Sequence, residues 1–168
     1  MTPQTEIISR LINEGFEKLD GHRSGIGATI LINRNRRLVA KIGEDPAYGK
    51  YVTWAMNRKD SWTPVFHFHE EEQFDLFYQS TTVLEHLEEL TPTEAQCYEE
   101  WYERTINEVK KQRSWNIDRD DPFKLFEAIK MIYEFASRQS VSVDLKSANL
   151  MARVADNQRE FVIIDPFN

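Results

Sequence analysis

A chain of 168 residues is long enough to bury a real core, and 40% hydrophobic with 12% aromatic residues excludes a disordered polymer. A formal charge of −7 and a pI near 5.2 argue against general nucleic-acid or membrane-surface binding. The one cysteine, Cys97, excludes an internal disulfide; with no signal-like N-terminus and no long apolar run, the chain reads as a soluble protein of a reducing compartment, the cytoplasm.

Ile7, Ile8, Leu11 and Ile12 share helical spacing and predict an amphipathic helix ending near Gly15. Phe16 to Leu19 is a short strand, and Gly21-His-Arg-Ser-Gly25-Ile-Gly27 follows as a flexible turn. Ala28 to Ile32 and Arg37 to Ile42 read as strands joined by the polar turn Asn33 to Arg36. Pro46 opens a helix through Asn57 that buries Tyr51, Trp54 and Ala55. Val65 to His69 and Phe74 to Tyr78 are two further strands, with Glu70 to Gln73 expected as a turn between them. Thr82 to Leu90 is expected to be helical. Thr91-Pro-Thr-Glu94 has the capping-box pattern for a helix to about Arg113, with Tyr98, Trp101, Tyr102, Ile106 and Val109 as its apolar stripe. Asp120 or Asp121 caps a last helix through Ser137, with Pro122 in its first turn. No repeat or linker divides the chain, so one α+β domain is expected.

Most of the reactive side chains have ordinary explanations. Cys97 lies among Gln96, Tyr98 and Glu99 with no motif around it, and the four histidines form no zinc pattern; His67 and His69 alternate with Phe66 and Phe68. The acidic runs Glu70 to Glu72 and Glu85, Glu88, Glu89 read first as solvated faces.

The C-terminal segment differs. Asp144-Leu-Lys-Ser-Ala-Asn149 is a polar loop; Leu150-Met-Ala leads away from it, Asp156-Asn157-Gln158 turns, and Phe161-Val-Ile-Ile returns to Asp165. A hairpin therefore places Asp144, Asn149 and Asp165 near one another. Singly, each reads as a turn cap, a loop residue or a strand-terminating acid. Together they are the hard oxygen ligands that hold Mg²⁺ while phosphates complete its shell. Upstream, Lys41 in Leu38-Val-Ala-Lys-Ile42 lies on the face of Val39, opposite Leu38, Ala40 and Ile42, and the pattern leaves open whether that face is solvated or buried. Gly21, Gly25 and Gly27 either form an ordinary hairpin turn or let backbone amides approach phosphate.

The spacing of Asp144 and Asn149 and the later Asp165-Pro-Phe resemble the catalytic loop D-x-x-x-x-N and the D-F-G of the protein-kinase-like superfamily, and Val39-Ala-Lys41 resembles its strand lysine. The chain is most similar to minimal atypical kinases of bacterial effectors and early serine/threonine kinases of phages. The resemblance implies a minimal two-lobed fold: an N-terminal antiparallel sheet over residues 1–79, a hinge at about 80–83 that meets adenine, and a truncated helical C-lobe over 84–168. It implies a protein serine/threonine kinase that uses ATP and Mg²⁺ on a host protein in the host cytoplasm, with no nucleic-acid or membrane partner. Asp144 would orient the substrate hydroxyl and Lys146 would stabilise phosphoryl charge. Lys41 and the three glycines would hold ATP, and Asn149 and Asp165 would hold metal and nucleotide. The chain departs from the pattern in four places. The glycines run G-x-x-x-G-x-G, the helix from Ala47 to Asn57 carries no acid to pair with Lys41, Ser142-Val143 replaces H-R, and Asn168 follows Asp165 by three residues. These departures fit one alternative, a non-catalytic pseudokinase binding module; a second enzyme reading is a small-molecule phosphotransferase, a class that usually encloses its substrate in an extensive helical C-lobe.

Overall fold

The structure, a computed structural model, describes residues 3–19, 28–74 and 77–168. Among the described residues it is α+β, with four α-helices, an antiparallel five-stranded sheet and a three-stranded sheet. The chain divides into two compact units, Met1–Lys59 with Pro64–His86, and Asp60–Thr63 with Leu87–Asn168.

The first unit is built on α1 (Pro3–Asn13), β1 (Glu17–Lys18), β2 (Thr29–Asn33), β3 (Leu38–Gly43), α2 (Pro46–Met56), β4 (Phe66–Phe74) and β5 (Phe77–Glu85). Its sheet runs β1-β2-β3-β5-β4. Strand alternation gives the sheet two distinct faces. On one, Leu31, Leu38, Ala40, Ile42 and Val83 form a buried cluster with Leu11 and Phe16, against which Ile7 and Ile8 of α1 pack. Each leucine, isoleucine, valine or phenylalanine side chain so removed from water contributes about 1.5–3 kcal/mol. On the other, Tyr51 of α2 meets Phe66 edge to face at 6.3 Å. Helix α2 starts where expected, because Asp45 Oδ1 accepts the Ala47 amide at 2.8 Å and Pro46 needs no amide partner. It buries Tyr48 and Val52 as well as Tyr51 and Ala55, while Trp54 is half-buried.

Two expectations fail here. Glu70 to Gln73 is no turn but the middle of β4, paired in register with Gln79, Ser80 and Thr81 through Glu70↔Thr81, Glu71↔Ser80 and Glu72↔Gln79. An edge strand keeps carboxylates near water, so the acidic run is compatible with pairing. Thr82 to Leu90 is not a helix either. Thr82, Val83 and Leu84 continue β5, which lies between β3 and β4 and is covered on both faces. Burial on both sides erases the alternation that identifies a strand. The segment expected as the hinge, Ser80 to Val83, is therefore mid-strand, and the unit boundary that follows it falls between His86 and Leu87.

The second unit holds β6 (Glu88–Glu89), α3 (Pro92–Gln112), α4 (Phe126–Gln139), β7 (Leu150–Ala155) and β8 (Gln158–Ile163), with sheet order β6-β7-β8. The capping box of α3 forms as read: Thr91 Oγ1 accepts the Glu94 amide at 3.2 Å and Glu94 accepts the Thr91 amide at 2.8 Å. Helix α4 begins at Phe126, later than expected. Asp121 reaches the amides of Leu125 and Phe126, each at 3.0 Å, so the residues between them close a turn in which Lys124 is left-handed. Phe123 thereby leaves the helix and packs on Trp101 and Phe161, with ring centroids 5.3 and 5.1 Å away. The β7–β8 hairpin turns through Asp156 and Asn157 at φ 49° and 61°, the paired left-handed conformation of a two-residue turn. Arg159 ties the sheet to α3, with 2.7 Å bonds to Glu88 and Glu94. Among the described residues, no helix is long and apolar enough to cross a membrane.

Candidate functional site

The loop from Asp144 to Asn149 hangs between α4 and the β7–β8 hairpin, and backbone bonds set its shape. Ser142 and Asn168 exchange amide bonds at 3.3 and 3.0 Å, Val143 bridges Phe167, and the Asp144 amide donates to the Pro166 carbonyl at 2.7 Å. Phe167 is buried and stacks on Phe135 of α4 at 5.5 Å, which anchors this two-stranded clamp. At the other end of the loop Ser147–Asn149 form a single 3-10 turn, and the Asn149 carbonyl accepts the Ile164 amide at 2.9 Å. Asp165 follows directly. The hairpin and the clamp thus bring Asp144, Asn149 and Asp165 together, as the sequence order implied.

The side chains then divide their work. Asn149 Nδ2 donates to the Asp144 carbonyl at 2.8 Å, which fixes the amide and turns its oxygen away from that bond. Lys146 Nζ stands 3.2 Å from Asp144 Oδ1 and is 72% exposed, so its ammonium remains accessible to an anion. Asp165 is half-buried, and its Oδ1 is shielded from solvent. An amide oxygen and a carboxylate on adjoining backbone suit Mg²⁺, which takes one or two protein oxygens and leaves the rest of its octahedron to water and phosphate. Among the described residues, no group of three or more His, Cys, Asp and Glu is clustered for a metal. A shell completed by phosphate does not need one.

Helix α3 supports the loop from beneath. Buried Tyr98 donates its hydroxyl to the Leu145 carbonyl at 3.0 Å. Glu99, the next residue, accepts from both the hydroxyl and the amide of Ser147, the latter at 3.4 Å. Tyr102 shares a 2.9 Å hydrogen bond with Tyr133 of α4. Burial first, then the contact with Tyr133, holds the Tyr102 phenol far above its usual range. Tyr98 entered the sequence reading only as core. Glu99 and Ser147 carried no signal there, because they are 48 residues apart.

Lys41 belongs to the first unit. The register Ile30↔Lys41↔Thr82↔His69 puts it on the face that α2 covers, which settles the direction left open by alternation. Its ammonium lies 3.5 Å from the centre of the Tyr48 ring, a cation–π contact contributing about 0.5–2 kcal/mol. A polar row continues across the same face. His69 bonds Thr82 Oγ1 at 2.8 Å and Glu71 Oε1 at 3.0 Å, and Thr53 of α2 approaches Glu71 at 3.4 Å. Helix α2 carries no acid of its own, and Asp45 is engaged as its N-cap. Strand β4 places one carboxylate, Glu71, on this face. Beside it, the Tyr78 hydroxyl is pushed up to about 12, by burial first and then by the negative charge of Glu71. Gly21, Gly25 and Gly27 lie outside the described residues.

No protein-family model matches the chain, and no curated protein matches it.

Proposed function

We propose that the chain is an ATP- and Mg²⁺-dependent protein serine/threonine kinase of minimal two-lobed kind. The observation that carries this reading is the convergence of Asp144, Asn149 and Asp165 on one clamped loop, with Lys146 beside Asp144. Phosphoryl transfer asks little covalent chemistry of a protein; it asks for positioning and for charge placed where charge develops. Asp144 orients the acceptor hydroxyl and takes its proton as the new oxygen–phosphorus bond forms and the bond from the γ-phosphorus to the bridging oxygen breaks, with ADP leaving. Lys146, exposed and cationic, faces the transferring phosphoryl oxygens. The Asn149 amide oxygen and the Asp165 carboxylate hold the metal, whose chemistry is to neutralise nucleotide phosphate charge. Lys41, in the first unit, binds phosphate through the ammonium that rests over the Tyr48 ring. Lysine at position 146 favours a protein acceptor, and the acceptor is a host protein under the effector or phage reading.

The test is transfer of labelled γ-phosphate from ATP to proteins of a lysate, with wild type, Asp144→Asn and Asp165→Ala in parallel. Wild type should label one or a few proteins only when Mg²⁺ is present, and both variants should fall by at least about a hundredfold. A thermal shift with ATP and Mg²⁺ but no transfer to any acceptor would replace this reading with a nucleotide-binding pseudokinase. Turnover of a small hydroxylated compound without protein labelling would replace it with a small-molecule phosphotransferase. Equal labelling by wild type and Asp165→Ala would remove the assigned metal role.

A further inference from the structure

We infer that Glu99 is a positioning residue for phosphoryl transfer, an inference that rests on the kinase reading above. The turn Ser147–Asn149 begins directly after Lys146, which meets phosphate in that reading, and ends on Asn149, which meets the metal. Its geometry therefore sets the distance between two working groups. Backbone bonds tie the Asp144 amide to Pro166 and the Asn149 carbonyl to Ile164, and the Asn149 amide closes the turn on the Lys146 carbonyl at 2.9 Å. Between them, the Ser147 side chain and amide both converge on one oxygen of Glu99, from helix α3. A carboxylate that accepts two hydrogen bonds at the start of a 3-10 turn holds donors that the turn leaves without intrahelical partners.

The helix that presents Glu99 is itself fixed. Its capping box is complete, Glu94 is tied to Arg159, and Tyr98 is buried with its hydroxyl on Leu145. Tyr98 and Glu99 thus grip consecutive parts of the loop, one from the core and one from the surface. Tyr98 is part of the core and its loss would disturb folding. Glu99 is exposed, so its side chain can be removed with the helix intact. Glu99 touches neither substrate nor metal in this arrangement. It acts through Ser147 on the spacing of Lys146 and Asn149.

The experiment uses full-length Glu99→Ala, Glu99→Gln, Ser147→Ala and the Glu99→Ala/Ser147→Ala double variant, assayed for transfer from ATP to the labelled acceptor. Misplacement of reacting groups lowers turnover, so Glu99→Ala and Ser147→Ala should each lose about tenfold in kcat, with KM for ATP changed less than about twofold. Glu99→Gln keeps an acceptor oxygen and should stay within about threefold of wild type. Because the two residues act through one contact, the double variant should be no slower than the slower single variant. Melting temperatures should match wild type, which separates positioning from unfolding. A wild type that transfers phosphate while Glu99→Ala keeps its kcat overturns the role and leaves the kinase reading standing. Multiplicative losses in the double variant also overturn it. A wild type that transfers nothing overturns the kinase reading, and this role with it.

Discussion

Gly49 lies in the middle of α2, where glycine is a poor choice for a helix. On an open helix face, Gly49→Ala would stabilise the protein by about 1 kcal/mol. The packing of α2 reverses that expectation. A Cβ at Gly49 would collide with Tyr78 Oη and stand 3.1 Å from Tyr78 Cζ and 2.7 Å from Glu71 Oε1. Glu71 can swing away only by giving up its contacts with His69 and Thr53. The Tyr78 ring is rigid, so either it rotates out of its site or α2 lifts from the sheet. Overpacking this severe belongs at the upper end of the usual range, ~3 kcal/mol, and set against ~1 kcal/mol of helix propensity it leaves a net loss of ~2 kcal/mol. The assay is urea denaturation followed by tryptophan fluorescence, with Gly49→Ala made both alone and in a Tyr78→Phe background. Removing the hydroxyl leaves Cζ as the nearest Tyr78 atom, so the second Gly49→Ala should cost at least ~1 kcal/mol less. A Gly49→Ala protein as stable as wild type or more so would refute the argument, as would an equal loss in both backgrounds.

Two other outcomes follow from the second unit. Tyr98→Phe keeps the ring stacked on Tyr102 and removes only the hydroxyl that donates to the Leu145 carbonyl. It should cost about 1–2 kcal/mol, and a change below about 0.5 kcal/mol would show that this bond does not anchor the loop. Burial alone would raise the Glu94 carboxyl, but hydrogen bonds from Arg159 and Thr91 outweigh it and hold the group below its ordinary 4.5. A depressed folded pKa means that stability is fully present above 4.5 and is lost as pH falls through the folded value. Wild type should therefore exceed Glu94→Gln in melting temperature at neutral pH, and the gap should close below pH 4.5. A gap that stays constant down to strong acid would show that the Arg159 contact is not what lowers the group.

What the sequence by itself determined is what neighbours in the chain decide. Pro46 after Asp45 starts α2, Thr91-Pro-Thr-Glu94 starts α3, and Asp156-Asn157 turns the last hairpin, each through contacts a few residues apart. The convergence of Asp144, Asn149 and Asp165 was legible for the same reason, since a hairpin returns the chain to its own origin. Tertiary structure decided the rest. The acidic run of β4 became a strand because β5 pairs with it, and β5 hid its own alternation because α1 and α2 cover both its faces. The face on which Lys41 lies depended on which helix covers which side of the sheet. The hold of Glu99 on Ser147 spans 48 residues, and no local periodicity records a contact that exists only once α3 has packed beneath the loop.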